Sequence, residues 1–245
     1  MARIRAVLFD VDGTLLDSND AHARAWLDVL RGHGRELPFD LIREKIGKGG
    51  DKLLMEVAQL DDESPEGKLI VERRVAVLKA HYLPDLGPLP GARTLVDRLR
   101  SQGFTCCVVT SANQAELADL LRAAAVADLF EHTITSDDAE RSKPDPDLVK
   151  AALDKVGVGP REAVMIGDTP YDVAAAARAG VATIAFRSGG WSDRDLDGAV
   201  AIYDGPQDLS TRLAQSPLAL GVADDFVPAA PVSRGRARRV SMRGV

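Results

Sequence analysis

The sequence predicts an α/β protein: a parallel sheet with helices on both faces, and a small all-helical domain inserted after the first strand. Three observations carry this. Short apolar runs alternate with helical stripes from residue 92 to residue 186. Residues 18–84 hold helical periodicities and no strand pattern. Between these regions lies Leu83-Pro84-Asp85-Leu86-Gly87-Pro88-Leu89-Pro90-Gly91, a boundary with three prolines and two glycines.

Each element has a local reason. Ala6-Val7-Leu8-Phe9 is an apolar run of strand length, and Gly13 breaks the strand. Asp17-Ser18-Asn19-Asp20 is a cluster of helix-capping residues. Ala23, Trp26, Leu27 and Leu30 then recur at helical spacing until Gly32 and Gly34. Phe39, Ile42 and Ile46 make a short helical face, and Leu53, Leu54, Val57 and Leu60 make the next. Gly47-Lys48-Gly49-Gly50 separates the two. Ser64-Pro65 reads as an N-cap with proline at the first helical position, followed by Val71, Val75, Leu78 and Tyr82. Beyond the boundary, helical stripes at Ala92–Leu99, Leu117–Ala124, Val149–Val156 and Val173–Ala177 interleave with strands. The strands are 105–109, a short one at 132–135, 163–166 and 181–186. Residues 199–203 suggest a last strand and 208–214 a short helix. The first strand joins this alternating set. The division is thus 1–17 with 85–227 as the core, 18–84 as the helical domain, and 228–245 as a tail.

The composition is globular, with 45% hydrophobic and 28% charged residues in 245. A formal net charge of −6 argues against a nucleic-acid-binding surface. Cys106 and Cys107 are adjacent in an apolar run and, on a strand, point to opposite faces. They read as core residues in a reducing compartment and not as a disulfide or a metal site. No stretch approaches a membrane span, and the N-terminal apolar run ends at Asp10, too soon for a signal peptide. A cytoplasmic monomer or weak dimer is expected, with no membrane partner. From Pro228 onward Arg234, Arg236, Arg238, Arg239 and Arg243 lie among Gly, Ser, Ala and Pro. This reads as a disordered basic tail, either functionless or able to bind an anion.

The chemistry begins at Phe9-Asp10-Val11-Asp12-Gly13-Thr14. Two carboxylates stand two residues apart at the C-terminal end of a buried strand, the edge where open α/β sheets bind ligands. Like charges resist joint ionisation there, and a divalent metal removes that cost. A carboxylate can also act as a covalent nucleophile while a second one moves protons. An Asp-Gly turn that happens to hold two acids is the plainer alternative.

Three later stretches reach the same edge. Val109-Thr110-Ser111-Ala112-Asn113 ends a strand and precedes a helix, so a hydroxyl and free amides suit a phosphate, though Thr or Ser is also an ordinary N-cap there. Ser142-Lys143-Pro144-Asp145-Pro146-Asp147 fixes Lys143 between prolines, where it can offset phosphoryl charge or simply be solvated. Met165-Ile166-Gly167-Asp168-Thr169-Pro170-Tyr171-Asp172 brings two more acids. Asp172 has a macrodipole reason as well; Asp168, ending a buried strand, does not. Four carboxylates, a hydroxyl and a lysine make one oxygen-rich site that calls for a metal, magnesium by its ligand type, and that suits phosphoryl transfer.

In these residues the chain resembles the haloacid dehalogenase superfamily of aspartyl-nucleophile phosphatases, in the branch with a helical cap after the first strand. The matching motifs, in family order, are Asp10-Val11-Asp12-Gly13-Thr14, Thr110, Lys143 with Pro144, and Gly167-Asp168 with Asp172, within a resemblance spanning roughly residues 4–215. The resemblance implies a Rossmann-like core and a magnesium-dependent hydrolase of a small phosphorylated metabolite. It makes Asp10 nucleophile and metal ligand, and Asp12 general acid/base with its backbone carbonyl on the metal. Thr110, Ser111, Ala112 and Lys143 would hold the phosphoryl group. Asp168 would bind magnesium directly, and Asp172 would support the metal site from behind it. The presence of Asp12 favours phosphate esters over the dehalogenase branch, which lacks it. A sugar phosphomutase of the β-phosphoglucomutase kind and a non-catalytic phosphate-binding regulator are the alternatives. In the helical domain, Lys48, Gly49 and Gly50 are the expected substrate contacts: glycines let the backbone approach, and Lys48 adds a cation. A plain turn with a solvated lysine is the competing reading.

Overall fold

The computed structural model describes residues 3–222 and 227–229. A six-stranded sheet, ordered β3-β2-β1-β4-β5-β6, forms its centre. The strands are β1 (Ala6–Phe9), β2 (Thr105–Val109), β3 (His132–Ile134), β4 (Ala163–Gly167), β5 (Ala182–Phe186) and β6 (Ala201–Tyr203). Every neighbouring pair is parallel. This all-parallel arrangement is why the strands read as continuous apolar runs: both faces are covered. Cys106 and Cys107 show it residue by residue. Cys106 packs with Val7, Phe9 and Val108 on one face, and Cys107 with Ala6, Leu8 and Val109 on the other. Both thiols are free, and burial pushes each up to about 12, so they stay protonated.

One face is covered by α5 (Ala92–Ser101) and α6 (Gln114–Ala123), the other by α7 (Asp147–Val156) and α8 (Pro170–Arg178). The chain runs from β1 outward through β2 to β3, then returns to the opposite side of β1 as β4. That reversal opens a crevice at the carboxyl ends of β1 and β4, where this class of sheet binds ligands.

Four helices stand between β1 and α5: α1 (Asn19–Gly32), α2 (Phe39–Arg43), α3 (Gly50–Ala58) and α4 (Pro65–Val77). They close around a separate cluster that includes Trp26, Leu30, Ile42, Leu53, Leu54 and Ile70. Ser64 caps α4 by accepting from the Gly67 amide, with Pro65 at the first helical position, as its sequence suggests. The buried face of α4 differs from the one its apolar residues mark. Gly67, Ile70 and Arg74 are buried, and Val71 and Val75 only half so. A buried ion pair from Arg74 to Glu116 turns the helix. A short helix, α9 (Pro206–Thr211), follows β6. Of the basic tail read over 228–245, everything from residue 230 onward lies outside the described residues.

Candidate active site

Asp10 follows β1 directly, and its amide donates to the Ile166 carbonyl of β4, extending the ladder by one residue. Its carboxylate is therefore fixed at the sheet edge and is only 5% exposed. Lys143 Nζ donates to Asp10 Oδ1 at 2.6 Å and lies 2.7 Å from Asp172 Oδ1. Asp172 Oδ1 receives no well-directed hydrogen bond, while Oδ2 accepts from the Thr169 amide and hydroxyl. Thr169 and Asp172 cap α8 reciprocally, which is how a first-turn acid is aimed back into the site. Asp168 directly follows β4 and accepts from Thr14 Oγ1 at 3.1 Å and Asn19 Nδ2 at 2.8 Å.

Gly13 makes room for Asp168. It adopts φ +74°, and a Cβ there would stand 2.2 Å from both Asp168 Oδ2 and Asn19 Nδ2. Gly189 approaches the same oxygen from another loop, with a Cβ position 2.1 Å away. Two glycine backbones thus enclose one carboxylate, and any side chain would displace it.

Asp10, Asp168 and Asp172 each offer an oxygen within 4.8 Å of the others, and all three are buried. Burial, helped by Asp172 and Asp12, outweighs Lys143 and pushes Asp10 up to about 7. Burial likewise lifts Asp168 well above the usual carboxylate range, with Asp10 and Asp172 adding to it. Burial alone would lower Lys143, but Asp10 and Asp172 hold the ammonium firmly charged. One ammonium does not balance three carboxylates. The donor set is all oxygen, and one ammonium is shared between two of the three carboxylates, so the site fits a hard divalent cation.

Asp12 points elsewhere. Its Oδ1 accepts from Ser18 Oγ and meets His22 Nε2 at 2.8 Å. Ser18 occupies the N-cap position of α1 but spends its hydroxyl on Asp12 rather than on the helix amides. Burial would raise Asp12, yet His22 and these hydrogen bonds win and keep it ionised below the ordinary range. Burial would lower His22, and Asp12 more than compensates, raising the imidazole above its ordinary value. The two face each other as a carboxylate–imidazole pair.

A small cavity lies between the sheet edge and the helices, lined in part by Asp10, Asp12, His22, Thr110, Lys48 and Arg74. Its free volume is about 40 Å³, and a single water takes about 10–15 Å³. Of the residues expected from sequence, Ser111, Ala112 and Gly50 also line it. The Ala112 amide donates to Thr110 Oγ1, and α6 begins only at Gln114, so the turn expected to meet a phosphate precedes the helix. Gly49 does not line the cavity; its amide goes to Ser142 Oγ. Lys48 lines it, paired with Glu56 and lying 4.9 Å from the centre of the Tyr171 ring.

Sequence reading did not single out His22, Asn19, Arg74 or Glu116. Arg74 of α4 makes a bidentate pair with Glu116 of α6, through Nη1 to Oε1 and at 2.9 Å through Nη2 to Oε2. It also lies 5.2 Å from the Trp26 ring centre. A charged residue at i+4 from Ile70 and i−4 from Leu78, in a helix, was the available signal.

Comparison with known proteins agrees with this geometry. The family model for haloacid dehalogenase-like hydrolases matches residues 4–180. A phosphoglycolate phosphatase of Nitrosospira multiformis is 34% identical over 183 residues, covering 72% of this chain and 80% of that protein. A glyceraldehyde 3-phosphate phosphatase of Pyrococcus furiosus is 30% identical over 212 residues, covering 80% and 86%. The crystal structure of a hydrolase from Pseudomonas syringae superposes with a TM-score of 0.80 at 30% identity, covering 86% of this chain and 98% of that one. The chain belongs to the haloacid dehalogenase-like hydrolases and is a phosphatase-type enzyme.

Proposed function

We propose that this protein is a magnesium-dependent hydrolase of a small phosphorylated metabolite, acting through an aspartyl-phosphate on Asp10. The observation that carries the reading is the placement of Asp10: one side meets Lys143, and the other opens on the cavity that Asp12 and His22 line. Magnesium, held by Asp10, Asp168 and Asp172 with the Asp12 carbonyl, would supply charge stabilisation to the phosphoryl oxygens. Lys143 and Thr110 bind those oxygens and orient phosphorus toward Asp10. An Asp10 oxygen forms the new P–O bond as the bond to the leaving oxygen breaks. The proton held by the Asp12–His22 pair passes to that leaving oxygen. Water then attacks the phosphoryl-Asp10, its proton returns to the pair, and inorganic phosphate departs.

The all-helical segment 18–84 acts as a cap over the core formed by 1–17 and 85–227. The names of the relatives, phosphoglycolate and glyceraldehyde 3-phosphate phosphatases, support a small phosphorylated metabolite as the substrate.

The test is phosphate release from a panel of phosphorylated metabolites with magnesium, comparing the wild type with Asp10→Asn. Release by the wild type and none by the variant is expected. Release from no member of the panel refutes the hydrolase reading; near wild-type release by Asp10→Asn refutes the covalent mechanism. Turnover that requires a bisphosphate activator would instead identify a phosphomutase.

A further inference from the structure

We propose that Asp51, Lys52 and Ser142 are positioning residues for Lys143, so that the helical segment, once seated, fixes the cation that meets the phosphoryl group. This rests on the role of Lys143 in the hydrolase reading.

A lysine side chain has four rotatable carbon bonds, so a fixed ammonium needs a fixed backbone as well as partners for its tip. Asp10 and Asp172 hold the tip. The backbone lies in irregular chain between β3 and α7, where no ladder or helix bonds hold it. Instead, the turn Ser142–Asp145 is gripped from the first turn of α3. The Gly49 amide donates to Ser142 Oγ at 3.1 Å, and that hydroxyl donates to Asp51 Oδ1. Lys52 Nζ donates to the Ser142 carbonyl at 2.6 Å and also to Asp145 Oδ2. The hydroxyl and the carbonyl of Ser142, the residue directly before Lys143, are thereby held by the helical segment. On the other side, Arg178 of α8 donates to the Pro144 carbonyl at 2.8 Å.

The closeness of this contact is built into the sequence. A Cβ on Gly49 would stand 2.3 Å from Ser142 Cβ, so only glycine lets the loop reach that far. Ser142 is 6% exposed, so these bonds are shielded from competing water, unlike an ordinary surface pair. Asp51 at the start of a helix has a macrodipole reason to be acidic, but that reason gives it no cause to meet Ser142. None of Asp51, Lys52 and Ser142 lines the cavity beside Asp10. Lys143 meets only the phosphoryl end, which every substrate shares.

The experiment compares wild type, Asp51→Ala, Lys52→Ala, Ser142→Ala and the double variant Asp51→Ala/Ser142→Ala, on several substrates that differ in leaving group, with melting temperature measured in parallel. Positioning predicts that kcat/KM falls by the same factor for every substrate, about tenfold or more, where a 1 Å misplacement costs about a hundredfold. The inhibition constant of inorganic phosphate, which has no leaving group, should rise alongside. The double variant should lose no more than the worse single one, because both act on one contact. Asp51→Asn, which still accepts from Ser142 Oγ, should stay within about threefold of wild type on all substrates. Wild-type values in the alanine variants overturn the proposal. So do losses that vary with the leaving group while phosphate inhibition stays constant. If the wild type itself releases no phosphate, the functional reading has failed and this proposal falls with it; if only the variants behave unexpectedly, that reading stands.

Discussion

Glu116→Ala should destabilise the protein far more than its single lost hydrogen-bonding group suggests. Glu116 and Arg74 join the helical segment to the core through α4 and α6, with side chains 1% and 8% exposed. Removing one partner of such a buried pair costs about 3–5 kcal/mol, because the remaining charge stays buried without compensation. Arg74 has few places to find relief, since its Nε is already buried without a hydrogen-bond partner and its other surroundings are the Trp26 face and the small cavity it lines. Total stability of a domain is about 5–15 kcal/mol, so a large share would be lost. At about 2–4 °C per kcal/mol for a chain of this size, the melting temperature should fall by about 6–20 °C. Replacing both partners by apolar residues, as in Arg74→Met/Glu116→Leu, should recover most of the loss. Thermal and urea unfolding of Glu116→Ala and of the double variant measure this. A fall of less than about 2 °C in Glu116→Ala would show that the pair is solvated in practice and refute the reasoning.

Other expectations concern chemistry. Asp12→Ala should lower kcat about 10²–10⁴-fold, the usual worth of proton transfer to a leaving group; a change of only a few-fold would leave Asp12 a structural role. Lys48→Ala should raise KM or alter substrate preference at nearly constant kcat on the best substrate, since Lys48 lines the cavity but is paired with Glu56 and not with Asp10; an unchanged KM on every substrate would remove Lys48 from recognition. Asp10 at about 7 against 3.8 means the metal-free fold keeps a proton that the unfolded chain releases, so this group costs stability as pH rises from about 4 to 7. Raised Asp168 acts in the same direction. Added magnesium should therefore raise the melting temperature more at about pH 7.5 than at about pH 5, and equal shifts at both would contradict the assignment.

The strands were legible because a parallel sheet buries both faces, so Ala6–Phe9 and Ala163–Gly167 needed no alternation to be recognised. Asp10 and Asp168 were legible because an acid at the end of such a run gains nothing from burial unless a partner or an ion meets it. The Asp12–His22 pair was not, although both residues are local. Ser18 looked like a helix cap, and the histidine sat among Ala23 and Trp26 on a buried helical face with nothing in its spacing to separate ligand from core. Arg74 was hidden for a different reason. Its partner Glu116 lies 42 residues away, and only tertiary packing brings the two together. Val71 and Val75 offered a more conventional stripe, so the apolar pattern pointed to the neighbouring face of the same helix. Ser142 was legible only as a neighbour of Lys143, because its contacts come from a helix that no local signal orients toward it.

The strand order has a consequence for how the molecule is made. β1 pairs with β2 and β4, whose first residues follow its own by 99 and 157 positions, since Ala6 sits opposite Thr105 and Ala163. The helices between β1 and α5 rely on nearer contacts and can condense early, whereas strand pairing must wait for distant sequence. During synthesis, β1 therefore carries two open edges while the helical segment is already taking shape beside it. Asp10 gains neither Lys143 nor Asp168 until more than half of the chain has followed it. A nascent chain cannot bring Asp168 and Asp172 to Asp10 before β4 docks, so the last central strand to arrive completes the site begun by the first.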